Sequence, residues 1–194
     1  MLSSPLMLQM PSSMPMTDDQ FFEFCQVNRD LRIERNQFGE ISIMSPAGSE
    51  TGNREINILG QLWMWTEQDN TGIAFSSSTG FKLSTGADRS PDASWIKLER
   101  WNTLTPEQQK KFAPICPDFV IELRSASDNL QPLKDKMTEY MQEPGIQLGL
   151  LIDRKNRQVY IYRPGQTEEC LENPDTVNCE PFLSGFVLNM SKIW

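Results

Sequence analysis

Two Pro-Asp steps stand out in the chain, each placed directly before a short apolar run. They are "SPDASWIKLERW", beginning at Ser90, and "CPDFVIELRSASD", beginning at Cys116, some 26 residues later. In an extended strand, residues two apart share a face. Asp118, Val120, Glu122 and Arg124 therefore point one way, and Phe119, Ile121 and Leu123 the other. The apolar set can bury itself against a neighbouring layer. The polar set carries two carboxylates and a guanidinium, which are costly in a core unless paired or metal-bound. One reading is an Asp-Arg or Glu-Arg pair on a half-exposed sheet. The other brings Asp92 from the neighbouring strand, so that Asp92 and Glu122 concentrate negative charge that a divalent cation would neutralise. Carboxylate oxygens suit Mg²⁺, which usually takes one or two of them and keeps several waters. A cation there could acidify a water and stabilise charge on a phosphate. A nearby lysine would support the same chemistry.

The composition narrows the alternatives. The 194 residues contain no histidine, so Ser-His-Asp and Cys-His catalysis cannot be assembled within this chain. Cys25, Cys116, Cys170 and Cys179 form no CxxC pair, which disfavours a structural zinc site and reads as scattered free thiols. The net charge of −8 argues against a generic nucleic-acid binder. It is uneven, however: Lys82 to Arg163 carries 13 basic and 11 acidic residues, and the remainder 5 and 15. No apolar stretch reaches the ~18 residues a membrane span needs. The expected setting is cytoplasmic.

The elements that must position these groups are readable in outline. Residues 1–16, rich in Met, Pro and Ser, read as a flexible N-terminal tail, and 17–194 as one domain. Thr17 can cap an amphipathic helix, "TDDQFFEFCQVN". "LRIERN" and "EISIMS" read as a hairpin, and Ser49 opens a helix to about Asp69 with Ile56, Leu59, Trp63 and Thr66 at helical spacing and Leu62 and Trp65 widening the stripe. "GIAFSSS", "FKLS" and "PDASWIKL" are strands, and "TPEQQKKF" starts a helix at Pro106. "DFVIELRS" is the strongest strand. Ser125, Ser127 and Asp128 read as loop and cap residues. A helix from Pro132 to about Gln142 is followed by a hairpin, "LGLLID" and "QVYIYR". The acidic segment after Gln166 looks looser, with "GFVLNMSKIW" returning as an edge segment. Trp63, Trp65 and Trp95 read as core. The pattern is mixed α/β, a central sheet flanked by helices.

On the helix after the strongest strand, Leu133, Met137, Tyr140 and Met141 form the apolar stripe. Lys136 flanks one side and Lys134 the other, and periodicity does not choose between them.

The ordered set "SPDASWIKLERW" and "CPDFVIELRSASDNLQPLKDKMTEYMQEPGIQLGLLIDRKNRQVYIYRPG", with "SIMSPAGSETGNREINILGQL" before it and "GFVLNMSKIW" after, resembles the bacterial restriction-endonuclease-like family of the PD-(D/E)xK nuclease superfamily. The resemblance spans roughly Thr17 to Trp194 and implies a restriction-endonuclease-like core. It further implies a Mg²⁺- or Mn²⁺-dependent endonuclease acting on DNA as a homodimer. Asp92 and Glu122 would be its metal ligands, and Lys136 would assist the attacking water. The superfamily pattern has lysine two positions after Glu122, where this chain has Arg124; arginine is a poor proton acceptor but can clamp a phosphate. An acidic residue on the first core helix often adds a ligand, which implies Glu50. The same fold could instead serve as a catalytically inactive nucleic-acid or protein binding module.

Overall fold

The structure, a computed structural model, describes residues 5–11, 14–126 and 128–194. Along the chain run β1 (Leu6–Leu8), α1 (Asp18–Val27), β2 (Arg32–Arg35), β3 (Ile41–Met44) and α2 (Ser49–Asp69). Then come β4 (Gly72–Ser76), β5 (Phe81–Lys82), β6 (Asp88–Arg89), β7 (Ala93–Lys97), α3 (Leu98–Trp101) and α4 (Pro106–Gln109). The last part contains β8 (Phe119–Arg124), α5 (Leu130–Met141), β9 (Leu148–Asp153), β10 (Gln158–Tyr162), β11 (Glu169–Glu172), β12 (Thr176–Asn178) and β13 (Val187–Asn189).

Six strands form a mixed sheet in the order β11-β10-β9-β8-β7-β4. The β8–β9 pair is parallel, because α5 carries the chain across one face between them, and its other pairs are antiparallel. Phe119, Ile121 and Leu123 point to the face covered by Ile58 and Leu62 of α2. Val120 points to the opposite face, beneath Met137 and Tyr140 of α5. The alternation expected for β8 is therefore the one observed. Burying a ring such as Phe119, with no exposed surface, contributes on the order of 2–3 kcal/mol.

A second sheet, β1-β3-β2-β6-β5, carries the hairpin read from "LRIERN" and "EISIMS". Arg35 ties it together: its guanidinium donates to Asp88 of β6 and Asp18 of α1, each at 2.7 Å. Thr17 caps α1 through a capping box, its side chain accepting from the Gln20 backbone N–H.

Several elements depart from the sequence reading. Within the N-terminal segment read as a flexible tail, Leu6–Leu8 pair with Ile41–Ile43, completing an edge that β3 would otherwise leave open. The short β6 went unrecognised, since two residues carry no period. The C-terminal "GFVLNMSKIW" is more than an edge segment: Leu188, Met190 and Ile193 are fully buried in the α2-side core, and β12 and β13 form a sheet of their own. On α2 the buried line is Ile58, Leu62 and Thr66. Ile56 and Trp63 instead face solvent, so Trp63 is not core. Leu62 and Thr66 of the expected stripe are buried and Leu59 and Trp65 pack on the core, while the docking of α2 on β4, β7 and β13 shifts the centre of the stripe to Ile58. Trp65 and Trp95 do pack, with ring centroids 5.7 Å apart. Asp128 accepts from the Ser125 N–H at 2.9 Å, as a loop-closing residue should; Ser127 lies outside the described residues. All four cysteines are free. Among the described residues no helix is long and apolar enough to cross a membrane.

Candidate active site

The antiparallel register of β7 and β8 pairs Ala93 with Ile121. One step outward, Asp92 precedes Ala93 and Glu122 follows Ile121, so the two carboxylates come to the same end of the strand pair. Asp92 is locked there because its Oδ2 accepts the Leu123 N–H at 2.7 Å, substituting for a ladder bond at the strand end. The same register sends the second Pro-Asp step to the other end of the strand pair. Asp118 accepts the Lys97 N–H at 3.0 Å and pairs with Arg100 at 2.8 Å. It is a strand-end clamp, and its sequence likeness to Asp92 does not bring it to the site.

Lys136 reaches in from α5. Its Nζ lies 2.7 Å from Glu122 Oε1 and 2.8 Å from Glu34 Oε1. The choice left open by periodicity is thus resolved: Lys134 lies over the Tyr160 ring and pairs with Glu168 at the surface. Tyr140, one helical turn on, donates to Glu122 Oε1 at 3.2 Å.

The hairpin supplies groups that sequence reading missed. Glu34 of β2 accepts the Ser90 N–H at 2.9 Å and pairs with Arg89 at 3.2 Å; Arg89 in turn pairs with Glu139 of α5 at 2.6 Å. Arg32 donates to Asp92 Oδ1 at 2.9 Å and to the Ser90 carbonyl. From α2, half-buried Glu55 feels the charge of Asp92. The signal that could have found Arg32 and Glu34 was present: they share a face of "LRIERN" just as Asp118 and Glu122 share one of "DFVIELR".

The electrostatics are those of crowded negative charge. Burial raises the Glu122 carboxyl; Lys136 counteracts this, but Asp92 and Glu34 push it up again, to about 7. Burial would also raise Glu34, yet Lys136, Arg89 and Arg32 together bring it down to about 2. Burial disfavours the charge on Lys136, but Glu122 and Glu34 more than compensate and hold it protonated. Burial, then Asp92, raise Glu55.

Glu50 and Arg124 sit elsewhere. Exposed Glu50 pairs with Arg54 at 2.8 Å and with Arg154 at 3.2 Å. Arg124 pairs with fully buried Asp153 at 2.8 Å and donates to the Asp128 carbonyl. It therefore ties β8 to β9 rather than pairing with Glu122.

The donor set fits a hard divalent cation. Five carboxylates (Glu34, Glu55, Asp92, Glu122, Glu139) face three cations (Arg32, Arg89, Lys136), so when all are ionised two negative charges are in excess. Among the described residues no three acidic or thiol side chains form a ready cage.

Comparison with known proteins agrees with this architecture. The Uma2 family, described as "Putative restriction endonuclease", matches residues 18–191. A crystal structure from Anabaena variabilis ATCC 29413, described as a "putative nuclease belonging to DUF820", superimposes with a TM-score of 0.70 at 21% identity, covering 92% of this chain and 97% of that one. At that identity the likeness shows the fold, which is restriction-endonuclease-like. No curated protein matches. With nearly its whole length matched, this chain belongs to the Uma2 family of putative restriction endonucleases.

Proposed function

We propose that the protein is a metal-dependent endonuclease that hydrolyses DNA phosphodiester bonds. The observation that carries this reading is that Asp92 accepts the N–H of Leu123, next to Glu122, and lies close enough for its charge to act on Glu122, with Lys136 held against Glu122. Asp92 and Glu122 would hold Mg²⁺ or Mn²⁺, which when bound would supply positive charge to the scissile phosphate and lower the pKa of an attacking water. Glu122 must be ionised to serve, and its raised pKa keeps part of it protonated near neutrality until a cation arrives. Lys136 stays charged between its two glutamates. It is suited to orienting the water and to donating to a phosphate oxygen as negative charge builds there. Tyr140 fixes the Glu122 carboxyl from behind. Glu50, expected as a further ligand, is paired with Arg54 and Arg154, and Glu55 is the α2 carboxylate that burial and the Asp92 charge raise. Arg124, the expected phosphate contact, is committed to Asp153. A homodimer would place one such site on each strand of a duplex.

A binding module without catalysis is favoured by one observation: Asp92 is already paired with an internal cation, Arg32. Incubation with supercoiled plasmid separates the two readings. Nicked and linear products that need Mg²⁺ or Mn²⁺ and vanish in Asp92→Ala are expected of the nuclease. Binding with no cleavage in either metal identifies the module, and full-rate cleavage by Asp92→Ala sinks the site assignment.

A further inference from the structure

Arg32 holds a position that the nuclease reading does not explain. Its guanidinium donates to Asp92 Oδ1 at 2.9 Å and to the Ser90 carbonyl, while its buried Nε has no hydrogen-bond partner. Charge coupling links it to Asp92, Glu34 and Glu122, and it also acts on Glu55. Lys136, the other cation on Glu122, is instead enclosed between Glu122 and Glu34. Arg32 therefore occupies the Asp92 oxygen that a divalent cation bound there would need. Two cations cannot both use Asp92 Oδ1 at contact distance without strong repulsion.

Arg32 is also the more open of the two cations. Its side chain is 29% exposed, whereas that of Lys136 is 10% exposed. It comes from β2, a strand of the smaller sheet. In its present seat the Nε has no acceptor, one that an anion with several acceptor oxygens would supply.

We infer that Arg32 is an internal stand-in for the metal, displaced from Asp92 when a divalent cation binds and then free to clamp a phosphodiester oxygen beside it. This rests on the reading of Asp92 as a cation ligand. A planar guanidinium matches a phosphodiester bidentately, which lysine does not. By linkage, the anion that captures the released guanidinium must tighten the metal, and the metal must tighten the anion by the same factor. The resting site is thereby kept neutralised, with cation and phosphodiester recruited together.

The test is calorimetric titration of Mn²⁺ into wild type, Arg32→Gln, Arg32→Lys and Asp92→Asn without nucleic acid, with thermal melts confirming folding. Arg32→Gln should bind Mn²⁺ at least about tenfold more tightly than wild type, and Arg32→Lys, which keeps the charge but loses the fork, should fall between them. Dimethyl phosphate, a minimal phosphodiester, should tighten Mn²⁺ binding to wild type several-fold and leave Arg32→Gln unchanged. If Arg32→Gln fails to fold, the Arg32→Lys comparison decides. Unchanged or weaker Mn²⁺ binding in the Arg32 variants, with binding lost in Asp92→Asn, overturns the inference and leaves the nuclease site standing. An unaltered wild-type affinity in dimethyl phosphate overturns the phosphate-capture role. Absence of any Asp92-dependent Mn²⁺ binding removes both the inference and the metal site beneath it.

Discussion

The two ends of the β7–β8 pair start from the same dipeptide and end in different roles. At one end Asp92 faces Glu122, Arg32 and, through Glu122, the lysine of α5. At the other, Asp118 is a strand terminator, satisfied by one backbone N–H and one arginine. Both carboxylates are buried, at 7% and 2% exposure, so burial does not distinguish them. What differs is the company each keeps. Asp118 sits with one compensating cation, whereas Asp92 sits in a group with more carboxylates than cations. The first arrangement closes a strand; the second gathers the charge that the proposed metal site would use.

Breaking each end in turn should give opposite signatures. The largest effect is expected for Asp92→Ala, which should lower metal-dependent cleavage at least about 10³-fold, since it removes both a ligand and the partner of Arg32. Next, Asp118→Ala should cost about 2 kcal/mol of stability, because it leaves the Lys97 N–H without its acceptor and Arg100 with only the Cys116 and Pro144 carbonyls. The cleavage rate per folded molecule should stay within a few-fold of wild type. A third prediction concerns pH. Glu122 has a folded pKa of about 7, above its ordinary 4.5, so folding favours its protonated form. That contribution is complete below about pH 4.5 and is lost as pH rises through 7, at most about 3 kcal/mol in all. Urea melts of Glu122→Gln against wild type should show the variant gaining on wild type over this window; a constant difference would count against the raised pKa. Lys136→Met should reduce cleavage about 10²-fold. The smallest effect belongs to Glu50→Gln, whose exposed pairs with Arg54 and Arg154 should change stability by no more than about 0.5 kcal/mol and leave cleavage unchanged.

Much of this was legible in the sequence because strong periods mark it. The alternation of β8 correctly separated Phe119, Ile121 and Leu123 from Val120 and Glu122, and Pro106 correctly marked a helix start, though only Pro106–Gln109 are helical. The failures share a cause. The phase of α2, the edge strand at Leu6–Leu8 and the packed C-terminus depend on which surfaces meet, and a local pattern does not contain that information. The site followed the same rule. The strand motif pointed to Asp92 and Glu122, and the resemblance picked Lys136 over Lys134. Arg32, Glu34 and Arg89 come from a second sheet whose approach to the first no short pattern encodes.

The two Pro-Asp ends can be set against each other in one experiment. Asp92→Asn and Asp118→Asn, each nearly isosteric, would be assayed side by side for Mg²⁺-dependent nicking of supercoiled plasmid, with a melting temperature measured on the same preparations. The account predicts that Asp92→Asn melts close to wild type and nicks at least about 10³-fold more slowly, while Asp118→Asn melts lower and nicks at nearly the wild-type rate per folded molecule. Undiminished nicking by Asp92→Asn, or its loss in well-folded Asp118→Asn, would contradict the assignment of the site to the Asp92 end.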